Sequence, residues 1–232
     1  MQRIYLPNIL LSDVLEITQK DLYHQLTRVL RARVWQEVIF FDGKVSQDHL
    51  YTMIHINKTS VSFKRKEIIT KISDTDFDMV LYQAYPNKLS KFEVIVQKCC
   101  EVGYSKIVFF ESKHSQKIVL SDNKKLRLNK IAIEAVEQCW GNKIPEIECR
   151  ENVWNIWKGI SIICHTKWDD ALHLSQIELW SNMNIFVWPE GGFSDEELHN
   201  IAAQKVYFWP RILRCETVWG VIWFYLSQKK ES

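Results

Sequence analysis

The hydrophobic and polar positions of the first 70 residues follow the pattern of a small β domain. Short apolar or alternating runs at residues 38–41, 51–56 and 60–64 predict strands, and Asp42-Gly43 is a dipeptide favoured in tight hairpin turns. Before these runs, residues 21–30 carry leucine and valine at helical spacing, which predicts one short helix.

A polar segment follows this β pattern. Residues 70–78 read TKISDTDFD, and their serine, threonine and aspartate content is typical of a connection between domains. We therefore predict a first domain at residues 1–70, a linker at residues 71–78 and a second domain at residues 79–232.

The second half of the chain alternates strand and helix patterns. Strands are predicted at residues 79–85, 106–110, 161–165, 185–188 and 206–209, and helices at residues 88–102, 124–139, 194–204 and 216–228. Gly103 is placed to end the first helix, and Ser194-x-x-Glu197 is a capping box that begins the third. This alternation predicts a mostly parallel sheet covered by helices.

Two of the predicted strands run into distinctive segments, IFVWPEGGFS at residues 185–194 and VYFWPRILRCET at residues 206–217. Open parallel sheets bind ligands beyond the carboxyl ends of their strands, so chemistry is expected at these two places. Adjacent glycines permit positive φ and a close approach of the backbone to a ligand. The alternative for Gly191-Gly192 is a simple turn before a capped helix.

Together the two segments resemble the C-terminal signature of the bacterial 16S rRNA (uracil-N3)-methyltransferase family, in the trefoil-knotted SPOUT superfamily. The similarity extends to RIYLP near the start, HQLTRVLR at residues 24–31, FDGK at residues 41–44 and EAVEQC at residues 134–139. The resemblance implies an α/β fold class, with an N-terminal PUA-like β-barrel domain followed by a trefoil-knotted α/β SPOUT methyltransferase domain. It also implies S-adenosyl-L-methionine as cofactor, 16S rRNA of the small ribosomal subunit as substrate, and a homodimer formed through the knotted domain.

The resemblance also implies roles for particular residues. Arg214 and Glu216 are the catalytic candidates, which would orient the target base, although a structural pair at a helix start explains them as well. The implied cofactor-binding residues are Val187, Trp188, Pro189, Glu190, Gly191, Gly192, Phe208, Trp209, Ile212, Leu213 and Thr217. Lys113-His114-Ser115 departs from the Glu-Arg-Ser run usual in the family, which weakens any charge-based role there.

Three arginines of the first domain are candidates for RNA contact, because arginine provides the phosphate contacts that dominate affinity. They are Arg3, Arg28 and Arg31. A solvated helix face explains Arg28 and Arg31 equally well.

Composition narrows the function classes. The net charge is only +2, so nucleic-acid contact must come from a local basic patch. The N-terminus lacks a signal-peptide pattern, and no apolar run approaches the roughly 20 residues of a membrane helix, so we expect a soluble cytoplasmic protein. The six cysteines form no CxxC pair; we expect buried free thiols and no metal site.

Tryptophan is unusually common and glycine unusually rare, with ten tryptophans and seven glycines. The resemblance implies glycine at four positions that hold tryptophan: Trp35, Trp140, Trp188 and Trp209. At Trp188 and Trp209 an indole would fill much of the space for the adenosine of the cofactor. If these residues are genuine, the protein is an RNA-binding relative with poor or no methyl transfer. Alternatively, the gene uses UGA for glycine and the printed sequence gives tryptophan at those codons.

The leading hypothesis is therefore an enzyme that methylates uridine N3 in small-subunit rRNA with S-adenosylmethionine. The alternative from another class is a non-catalytic rRNA-binding or assembly protein whose cofactor pocket is blocked by Trp188 and Trp209. A knotted 2′-O-methyltransferase is a third hypothesis, which the similarity of the first domain disfavours.

Overall fold

The computed structural model describes the chain except for residues 8–11, 71–76, 116, 117, 119, 153–157, 166–170, 179, 190, 208–211 and 232. Two compact units are present: Met1–Asp74 with Trp140–Lys143, and Thr75–Cys139 with Ile144–Ser232. Most of the predicted linker at residues 71–78 lies outside the described residues, so that boundary stays a prediction.

The first unit is built on a five-stranded mixed sheet in the order β1–β3–β4–β5–β2. Its strands are β1 (Gln2–Tyr5), β2 (Val14–Ile17), β3 (Glu37–Phe41), β4 (Gln47–Ile56) and β5 (Val61–Thr70). β1 runs parallel to β3, whereas β3–β4, β4–β5 and β2–β5 are antiparallel pairs. Helix α1 (Lys20–His24) continues as a π-helical turn at Gln25–Val29.

The core of the first unit is formed by side chains that point to one face of its sheet, together with the helical segment. Val38 and Phe40 point to one side of β3, and the Phe40 ring meets the Phe63 ring edge-on with centroids 5.1 Å apart. Leu26, from the π-helical turn, joins this cluster and is fully buried. The predicted helix and the three predicted strands are therefore confirmed, while β1 and β2, of four residues each, were not predicted.

The second unit is built on a seven-stranded sheet in the order β10–β12–β9–β11–β6–β7–β8, in which every described pair is parallel. Its strands are β6 (Asp78–Ala84), β7 (Lys106–Phe110), β8 (Glu146–Arg150), β9 (Ile160–Cys164), β10 (Leu172–His173), β11 (Asn182–Val187) and β12 (Gln204–Tyr207). The helices are α2 (Leu89–Val102), α3 (Asp122–Cys139), α4 (Asp195–Asn200) and α5 (Cys215–Glu231). The predicted mostly parallel sheet is confirmed, and β8 and β10 are additional edge strands.

In the second unit, the predicted end of α2 and the predicted start of α4 are confirmed, whereas the predicted end of α4 is wrong. α2 ends at Gly103, whose φ of 92° is left-handed and whose N–H donates to the Cys99 carbonyl at 3.0 Å. α4 begins with the predicted capping box of Ser194 and Glu197. However, α4 ends at Asn200 and not at residue 204, because Ile201 takes up extended backbone and buries its side chain in the core.

The strand order places the carboxyl ends of β6 and β11 at the switch point of the sheet. β7 and β8 lie on one side of β6, and β9 to β12 lie on the other. In open α/β sheets the crevice at such a point is the usual place for a ligand. The segment that follows β11 is therefore expected to face the functional site.

Candidate functional site

The glycine pair after β11 packs closely against the segment that follows β7. A Cβ atom added to Gly191 would lie 2.9 Å from the Cβ of His114, which is closer than real Cβ contacts. Next to it, Gly192 has a φ of +75°, and its carbonyl oxygen lies 3.2 Å from Nδ1 of His114. Glycine is thus required at 191 by this packing and favoured at 192 by the backbone.

Glu197 joins the same two segments. Its Oε1 accepts the backbone N–H of Lys113 at 2.9 Å, and its Oε2 accepts the N–H of Ser194 at 2.8 Å. Burial raises the pKa of Glu197, but these backbone hydrogen bonds and further side-chain bonds outweigh it and lower the pKa overall. The ionised carboxylate therefore holds the segments after β7 and β11 together.

A cavity of about 380 Å³ lies between the first turn of α2, the end of β11 and the start of α5. This size falls in the range of small-molecule pockets. One side of the lining is apolar and the other carries two cations and one carboxylate. The described lining residues are Lys91, Trp188, Pro189, Ile212, Leu213, Arg214, Cys215 and Glu216.

The charged side of the cavity is organised around Glu216. Its Oε2 lies 3.7 Å from Nζ of Lys91 and accepts a hydrogen bond from the Cys215 thiol at 3.1 Å. Burial raises the pKa of Glu216, yet the hydrogen bonds from Cys215 and the helix backbone, with the charges of Lys91 and Arg214, lower it overall. Glu216 is consequently an anion at neutral pH and a weak base.

The chain's segment that forms the cavity matches a known family. Residues 73–223 fit the family described as RNA methyltransferase domain. The chain belongs to this family. The resemblance noted in the two distinctive segments is thereby confirmed.

Relatives of this RNA methyltransferase match it over nearly their whole length. The ribosomal RNA small subunit methyltransferase E of Buchnera aphidicola subsp. Acyrthosiphon pisum is 29% identical over 230 residues, covering 91% of this chain and 89% of that protein. The protein of that name from Bacillus subtilis is 24% identical over 228 residues, covering 89% and 86%.

Solved structures show the same fold. The ribosomal RNA small subunit methyltransferase E of Neisseria gonorrhoeae, bound to S-adenosyl methionine, aligns with a TM-score of 0.88 at 22% identity, covering 99% of this chain and 98% of that one. A Legionella pneumophila methyltransferase solved with bound SAM gives a TM-score of 0.84 at 22% identity, covering 98% and 97%. The predicted fold class is confirmed, and the threading of a trefoil knot stays a prediction.

The cavity of the RNA methyltransferase brings together six of the predicted site residues: Trp188, Pro189, Ile212, Leu213, Arg214 and Glu216. Among the other predicted residues, Val187 is fully buried in β11 and Thr217 is exposed on the first turn of α5, and neither lines this cavity. Glu190, Phe208 and Trp209 lie outside the described residues.

Lys91 and Cys215 also line the cavity, but they were not among the predicted site residues. The available signal for Lys91 was its place in the first turn of the helix that follows a central strand, since such turns face the ligand end of a parallel sheet. For Cys215 the signal was its position between the two catalytic candidates.

The predicted RNA contact by Arg3 needs correction. Its guanidinium is 3.6 Å from the centre of the Phe41 ring and pairs with Asp48 at 2.9 Å, and both charged side chains are only 1% exposed. Asn142 donates a further hydrogen bond to Asp48 at 3.3 Å. Arg3 is therefore a structural residue of the first unit, whereas Arg28 and Arg31 are exposed.

Two of the four tryptophans at positions where the resemblance implies glycine have left-handed backbone. The φ angle is 73° at Trp35 and 64° at Trp140, a region that glycine enters without strain. Trp188 lines the cavity, with its ring 5.6 Å from the His165 ring and 6.3 Å from the Phe193 ring. Trp209 lies outside the described residues.

The six cysteines are free, and four of them are buried, as predicted. Within the described ranges, no group of three or more histidine, cysteine or acidic side chains is arranged to hold a metal ion. Likewise, none of the helices in those ranges has the length and apolarity needed to cross a membrane.

Proposed function

We propose that this RNA methyltransferase uses S-adenosyl-L-methionine to methylate N3 of a uridine in 16S rRNA of the small ribosomal subunit. The observation that carries the proposal is the cavity at the switch point of the parallel sheet. It combines an apolar wall with three charged side chains, Lys91, Arg214 and Glu216. The names of the relatives support the RNA class of the substrate, and a ribosomal substrate would place the protein in the cytoplasm.

The residues of the cavity fit the cofactor. Trp188, Pro189, Ile212 and Leu213 offer an apolar surface for the adenosine part, whereas Gly191 and Gly192 are not among the described lining residues. When bound, S-adenosylmethionine supplies an activated methyl group, since its sulfonium sulfur leaves as a neutral thioether. The protein therefore mainly has to place the uridine, and positioning supplies several kcal/mol of a barrier.

Arg214 and Glu216 are placed to orient the uracil ring. The Arg214 carbonyl accepts the N–H groups of Thr217 and Val218, at 2.8 and 3.2 Å, so Arg214 stands at the start of α5. Glu216 lies two residues further, in the first turn. The guanidinium matches the carbonyl acceptors of uracil, and the carboxylate orients the ring indirectly by holding the neighbouring cation Lys91.

The test is methyl transfer from labelled S-adenosylmethionine to 16S rRNA and to small subunits, followed by mass spectrometry of the nucleosides. N3-methyluridine is expected. Arg214→Ala should lower kcat/KM by about 100-fold or more, while Arg127→Ala, an ion-paired surface arginine of α3, should not. A 2′-O-methylated nucleoside, or no RNA product, would contradict the proposal.

Trp188 favours a second candidate, a non-catalytic RNA-binding protein. Its indole takes up part of the cavity wall where the family has glycine. Calorimetric titration with S-adenosylmethionine separates the two candidates. Binding by the chain as printed supports the enzyme, whereas absence of binding combined with tight binding of 16S rRNA supports the second candidate.

A homodimer through the second unit belongs to the same proposal. α5 carries Val221 and Phe224 three residues apart, on one face of the helix, with 37% and 63% of their surface exposed. A second copy of the chain would cover them. Light scattering after gel filtration should give twice the monomer mass. Because α5 forms part of the proposed interface, the Phe224→Asp variant should give the mass of the monomer.

A further inference from the structure

The charged side of the cavity has an excess of positive charge. Lys91 comes from α2, and Arg214 and Glu216 come from the start of α5, so two cations face one carboxylate. Cys215, the remaining titratable group of the described lining, donates a hydrogen bond to Glu216. The lining therefore favours an anionic ligand or an anionic state of a neutral ligand.

Glu216 is poorly suited to remove the proton from uridine N3. The cations and hydrogen bonds around it stabilise its ionised form, which makes the carboxylate a weaker base than an ordinary glutamate. Uridine N3 is a weak acid, so the loss of its proton at neutral pH is uphill whichever base accepts it. The protein can instead lower the free energy of the deprotonated uracil with a cation.

We propose that Lys91 stabilises the anionic imide of the target uracil and that Glu216 is the positioning residue that holds the Lys91 ammonium in the cavity. This inference rests on the proposed uridine N3 methylation. When the uracil becomes an anion, the N3–H bond breaks and the proton passes to hydroxide or a buffer base in the solvent. The electron pair remains on the ring, delocalised over N3 and the two carbonyl oxygens, where the ammonium attracts it.

The surroundings of Lys91 distinguish it from a surface ion pair. Lys91 and Glu216 are 23% and 22% exposed, and their charged atoms are 3.7 Å apart, too far for a tight hydrogen bond. In the same helix, Lys98 and Glu101 are 46% and 33% exposed and are 2.7 Å apart. Both charged groups line the cavity, where a lower dielectric strengthens the field of the Lys91 ammonium.

The experiment measures the acidity of the bound base directly. An oligoribonucleotide that spans the uridine mapped in the methylation assay carries 5-fluorouridine at that position, and its fluorine NMR signal is followed against pH with and without full-length protein. The wild type should lower the pKa of the bound base by about one to three pH units. Lys91→Met should return it to the value in the free oligonucleotide, and Lys91→Arg should retain most of the effect.

Lys98→Met is the matched control, since it removes a lysine of the same helix outside the cavity. In turnover, Lys91→Met should lower kcat by about 100-fold with little change in KM for RNA, and should move the pH–rate profile to higher pH. The inference is overturned if Lys91→Met binds the oligonucleotide and leaves the fluorine titration as in the wild type. It is also overturned if that variant only weakens S-adenosylmethionine binding in calorimetry. Absence of N3-methyluridine with the wild type would instead overturn the proposed function on which it rests.

Discussion

Substitution of Trp35 tests whether the backbone at this position was built for glycine. Trp35 precedes β3, its N–H donates to the Met53 carbonyl at 2.7 Å, and its φ is 73°. Its side chain is 75% exposed, so the indole contributes little burial. The stability of a variant at this position therefore depends largely on the left-handed backbone.

The magnitude follows from a comparison of glycine with alanine. A left-handed residue with a Cβ atom is less stable than glycine there by about 1–2 kcal/mol. Against this, glycine loses about 0.4–1 kcal/mol through the greater freedom of the unfolded chain. Trp35→Gly and Trp35→Ala both remove the indole, so we expect the glycine variant to be more stable by about 0.5–1 kcal/mol.

Trp180 provides the matched control. It is also largely exposed, at 56%, and it is not among the described residues with positive φ. There the order should reverse, with Trp180→Ala more stable than Trp180→Gly by about 0.4–1 kcal/mol. Urea denaturation followed by circular dichroism measures all four variants. If Trp35→Gly is no more stable than Trp35→Ala, the argument from the backbone is refuted.

Three further predictions concern packing and charge. Gly191→Ala brings a Cβ atom to within 2.9 Å of the His114 Cβ, and should weaken S-adenosylmethionine binding in calorimetry; unchanged affinity would argue against this packing. Arg3→Met leaves Asp48 buried without its main partner and should lower the free energy of unfolding by about 3–5 kcal/mol in urea titrations, against less than 0.5 kcal/mol for the exposed Arg28→Met. Because the pKa of Glu197 is lowered in the folded state, its contribution to stability is present at neutral pH and is lost as pH falls through that pKa, so Glu197→Gln should flatten the acid side of a stability–pH profile. Equal acid slopes for wild type and variant would contradict this role.

The elements predicted from the sequence are those with a strong local pattern. β7 is found at the predicted residues, 106–110, because it is a continuous apolar run, and α2 ends at the predicted glycine. β8, Glu146–Arg150, was missed although its charged and apolar residues alternate as expected for a strand exposed on one face at the edge of a sheet. β10 has two residues and no readable period.

The site residues also divide into those that a local sequence pattern predicts and those that depend on contacts between distant parts of the chain. Trp188-Pro189 and Ile212 to Glu216 were predicted because both segments lie at the ends of predicted strands and carry the resemblance to the family. The position of Lys91 after a central strand could have pointed to the site, but its contact with Glu216 could not be predicted, because it joins residues 125 positions apart and depends on how α2 packs beside α5. Arg3 looked like an exposed basic residue for the same reason, since its partner Asp48 lies 45 residues away.

The tryptophans also discriminate between the two explanations for their placement. A blocked cofactor pocket accounts for Trp188, which lines the cavity, but not for Trp35 or Trp140, which belong to the first unit and have left-handed backbone. A code in which UGA means glycine accounts for all of them at once. Intact mass spectrometry of the protein purified from its natural source decides the matter. A mass lower by the difference between tryptophan and glycine at each such position is expected, and agreement with the mass of the printed sequence would rule the recoding out.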